Sequence, residues 1–383
     1  MKRRIFDLLL FLGLLAITGA VVIVSGVFPV KASLGHLPGV AWLLEFASGR
    51  SIATYSMGIE VPPLDDPGLV RLGAVAYQSN CQWCHGGPSE PVPVVAAQML
   101  PPPPYLPDVI NKWKPEELFS IVKHGIKFAG MPAWPTQERD EEVWAVVAFL
   151  LQFPGLERSQ YEALFEIEKT SPKSLSQADR DDGEETTHAA GGDVAAWQRC
   201  QLCHGPSDGA PVHALVPALA GQSADYLRNA MAAFASGERS SGIMQPIASR
   251  LTDEEVEQWV AYYSVSPLSN QGNGLSTSNL ATSPNSSAGV ENALAMANEL
   301  VFHGDAQAKI PACVDCHSPT EEPQRSDYPV LTGQPSAYLE RQLELFASGV
   351  RQGPRAGVMR GIAQKLSPQQ RTAVAKFYQQ SAQ

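Results

Sequence analysis

The chain has 383 residues, of which 44% are hydrophobic and 17% charged, and its formal net charge is −11. This length is too great for one small core and predicts about two or three domains. The acidic balance argues against binding to nucleic acid or to anionic lipid headgroups, and it fits contact with a basic protein surface or simple solubility.

A strongly apolar segment follows the basic triplet Lys2-Arg3-Arg4. From Leu8 to Val30 it is long enough to cross a bilayer, which takes about 20 residues as a helix. The basic triplet predicts that the N-terminus stays in the cytoplasm. The alternative is a cleaved signal peptide, for which Val30-Lys31-Ala32 is a poor cleavage site. We expect an uncleaved anchor in the bacterial inner membrane, with the rest of the chain in the periplasm.

Two polar stretches divide the exported part of the chain. One is acidic and the other is rich in Ser, Asn and Gly, and both have the composition of flexible, unpacked chain. Such linkers would let the units between them swing freely relative to one another. The predicted order is a membrane anchor (1–33), a juxtamembrane segment (34–66), unit one (67–169), a linker (170–192), unit two (193–264), a linker (265–289) and unit three (290–383).

Units two and three are repeats of one another. The loop Pro217-Ala-Leu-Ala-Gly-Gln222 corresponds to Pro329-Val-Leu-Thr-Gly-Gln334, and each unit closes with a capped helix, which begins after Thr252 or Ser367. Unit one shares this order and ends in a helix over about 139–153. Since no segment alternates apolar and polar residues for long, the predicted fold class is all-α: an N-terminal transmembrane helix followed by three small helical domains.

All six cysteines occur in three copies of the pattern Cys-x-x-Cys-His, which is the attachment signature of c-type haem. On a helical turn, positions i and i+3 share one face, so both thiols can form thioethers with the two vinyl groups of one porphyrin. The histidine that follows can then reach the iron. The pattern predicts three covalently bound haem c groups, held by Cys81, Cys84 and His85, by Cys200, Cys203 and His204, and by Cys313, Cys316 and His317.

Three other interpretations of the cysteines compete with haem. Structural zinc needs four ligands, whereas each unit offers two cysteines and one adjacent histidine. Thioredoxin-like redox chemistry needs a βαβ context, which the sequence lacks. Disulfides form readily outside the cytoplasm, but this three-residue spacing closes a strained loop.

Each unit also has a methionine downstream that can complete the iron coordination: Met131, Met244 and Met359. A thioether ligand stabilises ferrous iron and raises its potential. The alternative is that these methionines only fill the core. In unit one, His124 and Met99 compete with Met131 for this position.

Other residues are expected to orient the haem-ligand histidines or to pack the helices around them. A haem-ligand histidine usually donates its second ring N–H to a backbone carbonyl, and Pro217 and Pro329 lie where they can accept it. In unit one the run 101–104 must do so, and the sequence does not single out one proline. Gly73 and Tyr77 share a helix face that lets the final helix of unit one pack closely. His213 has no repeat partner, and we expect it at the surface.

These motifs resemble the class I c-type cytochromes. Residues 190–383, with their paired Cys-x-x-Cys-His, Pro-x-Leu-x-Gly-Gln and Met segments, resemble the two-haem cytochrome c4 family. Residues 66–165 are similar to the haem domain of oxidase-type cytochrome c subunits, through Val122–Trp134. The resemblance implies the class I fold, His/Met-ligated haems and electron transfer.

The expected function is an electron relay toward a terminal cytochrome c oxidase, and not an enzyme, because six-coordinate iron leaves no open position for a substrate. The expected partners are redox proteins, namely a terminal oxidase, a quinol–cytochrome c reductase or a dehydrogenase, together with the inner membrane and no nucleic acid. One alternative is the cytochrome subunit of a periplasmic dehydrogenase. A peroxidase would need five-coordinate iron, for which only unit one is a candidate, and a haem sensor would need a signalling domain.

Overall fold

The structure is a computed structural model. It describes residues 2–27, 31, 33–166, 196–207, 209–264, 287–317, 325–353 and 355–381. The predicted linker 170–192 lies outside these residues, as do 265–286 of the second linker and both Val30 and Ala32 of the alternative cleavage site.

Two helices precede the first unit. Helix α1 (Lys2–Val24) is long and apolar enough to cross a membrane, has a mean hydropathy of 2.5 and is buried against no other element. A signal sequence near an N-terminus has the same properties. Helix α2 (Pro38–Tyr55) lies in the juxtamembrane segment, and in it Trp42 stacks on Phe46 with ring centroids 5.6 Å apart.

Unit one contains six short or medium helices around one apolar core. Asp66 caps the first of them by accepting a hydrogen bond from the Leu69 amide at 3.0 Å, and a proline occupies its first position. The predicted final helix is observed at Asp140–Gln152 and is followed by a 3₁₀ turn, Phe153–Gly155. The helices are α3 (Pro67–Asn80), α4 (Gln82–His85), α5 (Leu106–Val109), α6 (Pro115–His124), α7 (Asp140–Gln152) and α8 (Arg158–Ala163).

Units two and three repeat one arrangement. The helices of unit two are α9 (Gln201–His204), α10 (Ala224–Ala235), α11 (Met244–Ala248) and α12 (Asp253–Ser264). Those of unit three are α13 (Ser287–Phe302), α14 (Ser336–Ala347), α15 (Ala356–Ala363) and α16 (Pro368–Gln380). Helix α13 begins at Ser287, inside the range 265–289 that was predicted as a linker. The N-terminal helix of unit three is therefore longer at its start than predicted.

The predicted caps and the all-α class are confirmed. Ser367 accepts from the Gln370 amide at 3.2 Å, while the Gln370 side chain accepts from the Ser367 amide at 2.8 Å. Thr252 and Glu255 form the same reciprocal pair. Across the described ranges, the only strand-like pairings are three isolated bridges. Helices are therefore the regular secondary structure of the described residues, and loops and turns connect them.

Helices α3 and α7 cross at the glycine that the sequence singled out. A Cβ atom at Gly73 would lie 1.9 Å from the carbonyl oxygen of Ala145, so only glycine allows this approach. One turn further along, Tyr77 packs on Phe149 with ring centroids 5.2 Å apart. The predicted close packing of the final helix is confirmed.

Units two and three are joined by reciprocal hydrogen bonds from the repeated loops. The Gln222 side chain donates to the Val330 carbonyl at 2.8 Å and accepts from its amide at 3.0 Å. Gln334 makes the same pair with Ala218, at 2.7 and 3.1 Å. These four buried hydrogen bonds hold units two and three together, so the expectation that the two units swing freely was wrong. They form because the repeat places a matching donor and acceptor in each unit.

Replacing Gly73 with alanine is expected to destabilise unit one by about 1–3 kcal/mol, because the added methyl group collides with the backbone of α7. Chemical denaturation followed by circular dichroism measures this loss.

The matched control is Gly49→Ala in α2, where an added Cβ meets nothing within 4 Å. It is expected to be neutral or to stabilise by up to about 1 kcal/mol through helix propensity. Equal stability of the two variants would contradict the close crossing of α3 and α7.

Candidate haem-binding sites

The three Cys-x-x-Cys-His segments each form a tight helical turn. The histidine amide donates to the carbonyl of the first cysteine, at 2.9 Å for His85 and 2.8 Å for His317. All six thiols are free, so the structure contains none of the disulfides that the spacing left open. Within the described ranges, no group of three or more His, Cys, Asp or Glu side chains is arranged to hold a bare metal ion.

Each of the three histidines is held by a proline carbonyl. The Nδ1–O distances are 2.9 Å for His204 and Pro217, and 3.0 Å for His317 and Pro329, which confirms both predicted prolines. The third contact, 3.3 Å long, joins His85 to the last proline of the 101–104 run, Pro104. When Nδ1 donates this bond, Nε2 keeps its lone pair and can bind a metal.

Burial keeps these histidines neutral. Desolvation lowers the pKa of His204 to about 4, although the hydrogen bond to Pro217 opposes the shift. Desolvation also lowers the pKa of His85 and that of His317. A neutral imidazole is the form that binds iron, so the folded chain presents the required protonation state.

A tyrosine hydroxyl supports each turn from behind, and sequence reasoning did not find this role. Tyr77 donates to the Gly86 carbonyl at 2.6 Å, and Tyr263 donates to the Gly205 carbonyl at 2.7 Å. In unit three, Tyr378 donates to the carbonyl of His317 at 3.1 Å. The signal was present in the aromatic pairs that end α12 and α16, where Tyr263 and Tyr378 occupy the same place.

The predicted residues of units two and three meet in one continuous cavity of about 670 Å³. Its walls are mainly apolar, which suits a flat, hydrophobic cofactor. The cavity brings together two complete predicted sets, one from each unit: Cys200, Cys203, His204 and Met244, and Cys313, Cys316, His317 and Met359.

The cavity also contains donors that lack a partner. The Nε of Arg239 and the indole Nε1 of Trp259 are buried and donate to no group among the described residues. Buried donors of this kind carry a desolvation cost unless an acceptor reaches them. A haem carries two carboxylate groups, so the orphaned donors fit that cofactor.

Two arginines face each other across the boundary between units two and three. The guanidinium of Arg239 donates to the Tyr338 hydroxyl at 2.8 Å and to Gln342 at 3.2 Å, and Arg351 donates to Gln342 at 2.8 Å. Desolvation and the neighbouring Arg239 lower the pKa of Arg351. Because the groups around this pair are tyrosines and an amide, the positive charge fits carboxylates of a bound cofactor.

In unit one, the structure separates the three candidates for the sixth ligand. Met131 lies in a tight turn, where its carbonyl accepts from the Ile126 amide at 3.1 Å. Met99 lies beside this turn, since a Cβ at Gly130 would be 2.5 Å from its terminal methyl group. His124 is exposed at the end of α6. Met99 and the turn that carries Met131 are thus neighbours, whereas His124 is exposed. The sixth ligand of unit one stays a prediction.

His213 is not the surface residue that the sequence suggested. It is half-buried at the boundary between units one and two, and its Nδ1 lies 3.2 Å from the Leu215 amide that donates to it. Burial lowers its pKa, and Asp66 of the neighbouring unit opposes that shift. The sequence interpretation was wrong because it could not include the contact between units.

Free cysteine pairs, proline-held histidines and an apolar cavity with unpaired donors together define a c-type cytochrome with covalently bound haem. The profile "Cytochrome C oxidase, cbb3-type, subunit III" matches residues 68–150. Cytochrome c4 of Thiocapsa roseopersicina is 31% identical over 191 residues, which cover 49% of this chain and 90% of that protein. The chain belongs to the cytochrome c4 family over this half of its length, and residues 68–150 are similar to the oxidase subunit profile.

Other relatives cover a similar share. The "Thiosulfate dehydrogenase electron acceptor" of Stutzerimonas stutzeri is 33% identical over 202 residues, 53% of this chain and 87% of that protein. Among solved structures, Acidithiobacillus ferrooxidans cytochrome c4 is 25% identical with a TM-score of 0.39, over 47% of this chain and 97% of that one. A thiosulfate dehydrogenase of Marichromatium purpuratum is 30% identical with a TM-score of 0.40, and the match covers 47% of this chain and 36% of that one.

Replacing Tyr263 with phenylalanine is expected to cost about 1–3 kcal/mol of stability, because the buried carbonyl of Gly205 loses its donor. Denaturant titration of the haem-loaded protein, followed by its visible absorbance, measures the loss. Tyr55→Phe is the control, since its side chain is 78% exposed. A loss no larger than that of the control would show that the hydroxyl does not support the turn.

Proposed function

We propose that this protein is a membrane-anchored cytochrome with three haem c groups that relays electrons in the bacterial periplasm toward a terminal cytochrome c oxidase. The observation that carries the proposal is the threefold recurrence of one arrangement: two free cysteines on a helical turn and a neutral histidine held by a proline carbonyl. Electron transfer itself is the common role of the c-type cytochromes to which the chain belongs.

The proposal assigns two roles to the recurring residues. The cysteines of each turn bind the porphyrin covalently, and the histidine of each turn provides one iron ligand. The second ligands are Met131, Met244 and Met359. A haem held by a histidine and a methionine would supply one-electron redox chemistry and would leave its iron no position for a substrate, which favours outer-sphere electron transfer over catalysis.

The residues around the shared cavity support this role. Apolar walls exclude water, and the cavity is continuous between units two and three, so the two cofactor sites face a common space. The arginine pair offers positive charge at the unit boundary, where it can bind the cofactor carboxylates. Thioether ligation and an apolar shell both raise a haem potential, as an electron carrier near the end of a respiratory chain requires.

The first two helices support the proposed membrane attachment. Helix α1 is long and apolar enough to span a bilayer, and α2 packs against α6 of unit one. An uncleaved α1 would therefore hold unit one near the membrane surface. Tethering raises the effective concentration of the haem units near a membrane-bound partner.

A second candidate function is the electron-accepting cytochrome of a periplasmic dehydrogenase. The observation that favours it is that two relatives, 33% and 31% identical, are named as electron acceptors of thiosulfate dehydrogenase. The two functions share the same chemistry and differ in the protein that supplies or receives the electrons.

Carbon monoxide tests the axial ligands. The reduced parent protein is expected to bind none, whereas Met244→Ala and Met359→Ala should each open one iron and bind one equivalent, seen by visible difference spectra. Met57→Ala, whose side chain is 73% exposed, is the control and should behave as the parent. Binding of carbon monoxide by the parent would contradict the relay and point to an open haem.

Respiratory assays distinguish the two candidate functions. Membranes from cells that lack the protein should lose oxidase turnover with their natural electron supply, and the full-length protein should restore it. If oxidase turnover is unchanged, but reduction of the purified protein by a periplasmic dehydrogenase is fast, the second candidate is correct. Replacing residues 2–27 with a cleavable signal peptide should release the exported protein from the membrane fraction, and an unchanged distribution would contradict the anchor.

A further inference from the structure

Unit one and unit two meet at the segment that precedes Met244. We name residues 240–244 the Met244 loop. The carboxylate of Glu142, in α7 of unit one, accepts from the Ser241 hydroxyl at 2.5 Å and from the Gly242 amide at 2.7 Å. Glu142 is only 6% exposed. A buried carboxylate of one unit is therefore satisfied by the axial-ligand loop of the next.

The same contacts fix the start of the helix that carries Met244. The Ser241 hydroxyl, which donates to Glu142, accepts from the Met244 amide at 2.9 Å. On the other side of the loop, the Arg139 guanidinium donates to the Ser240 carbonyl at 2.6 Å. The position of Met244 thus depends on two charged residues of unit one.

Trp134 closes over the centre of the loop. Its indole N–H donates to Glu142 at 3.1 Å, and its ring lies so close to Gly242 that a Cβ there would be 2.3 Å from ring atoms. Trp134 is 5% exposed, so the contact is dry. Glycine is required at position 242, because any side chain would displace the ring.

A second contact reaches the same peptide. The side chain of Asn80 donates to the Gly242 carbonyl at 3.0 Å. Asn80 precedes Cys81, a predicted haem attachment, and Trp134 follows Met131, a predicted iron ligand, by three residues. Residues beside both ends of the first haem site therefore converge on a point two residues before Met244.

The surrounding interface excludes water. Val216 and Ile243 of unit two are buried in the core of unit one. In the other direction, Leu72 and Val75 of α3 help to line the cavity of unit two. Electronic coupling is stronger through bonds and packed atoms than across solvent gaps, so this boundary suits electron transfer.

We propose that the Gly242 peptide, held by Trp134 and Asn80, is the junction through which electrons pass between the haem sites of units one and two. The inference rests on the proposed relay function. One electron leaves the reduced site of one unit and reduces the oxidised site of the next, and no bond forms and no proton moves. Trp134 is a positioning residue, since it acts by holding the Met244 loop against unit one.

The junction places unit two between units one and three in the path of the electrons. On one side it meets unit one through the Met244 loop, and on the other it shares its cavity with unit three. External partners then exchange electrons with units one and three, and the second haem passes electrons between them.

The test follows electrons inside the full-length, haem-loaded protein, without any partner. A ruthenium photoreductant is attached through Glu162→Cys, at an exposed position of unit one, and rapid-freeze EPR shows when each ferric centre is reduced. The variants are Trp134→Ala, Trp134→Phe and, as the matched control, Trp144→Ala, which removes an indole stacked on Phe119 within unit one. Redox titration gives the potentials of all variants.

Trp134→Ala is expected to slow the reduction of the second haem severalfold, with potentials close to those of the parent. Trp134→Phe should restore most of the rate, because a ring again covers Gly242, and Trp144→Ala should keep the parent rate. Equal slowing in both alanine variants would overturn the proposal by showing general loosening of unit one. A parent rate in Trp134→Ala would also overturn it.

If Trp134→Ala does not fold, Asn80→Ala decides the question, since it removes only one hydrogen bond to Gly242 and is expected to slow the same step. A parent rate in Asn80→Ala would then overturn the junction. Failure of the proposed function looks different: in the parent protein itself, electrons would not leave unit one.

Discussion

The hydrogen bond between each haem-site histidine and a proline carbonyl is the constraint on which the rest of the structure depends. In unit two it joins His204 to Pro217, and the next peptide, Ala218, is bound on both sides by Gln334 of unit three. The corresponding loop of unit three repeats the arrangement in the opposite direction. One short loop therefore orients a histidine within its own unit and also binds the neighbouring unit. A shift of either unit would change the orientation of both histidine rings.

Unit one is joined to unit two by a different principle. The described residues form no reciprocal pair of loops at this boundary. The contact depends on a buried carboxylate, Glu142, which accepts from Trp134, Ser241 and Gly242 and lies 3.6 Å from the Arg139 guanidinium. Breaking a buried charge cluster by removing one partner typically costs about 3–5 kcal/mol. A small displacement of unit one relative to unit two would separate the Glu142 carboxylate from its donors. The cluster therefore fixes the relative position of the two units. Desolvation raises the pKa of Glu142, and Arg139 and the Ser241 hydroxyl oppose that shift.

Sequence reasoning succeeded where the governing interactions are local or repeated. The caps at Thr252 and Ser367 follow from a few neighbouring residues, and the repeat alignment identified Pro217 and Pro329 as the carbonyls that hold the histidines. It stopped short at Pro104, because four consecutive prolines look alike and only the path of the chain selects one. Its reading of His213 was wrong, because exposure depends on what the other units cover.

The sequence by itself determined the helical class, the starts of the capped helices and the three attachment turns, since periodicity, capping and the Cys-x-x-Cys-His spacing act over a few residues. Only the tertiary structure decided how the sites relate to one another: the shared cavity, the facing pair Arg239 and Arg351, and the contact of Trp134 with Gly242. These contacts join residues about 100 positions apart, across stretches of polar linker. The physical reason is that burial and charge pairing depend on which surfaces meet. A sequence pattern within one unit does not predict which surface of the next unit it contacts.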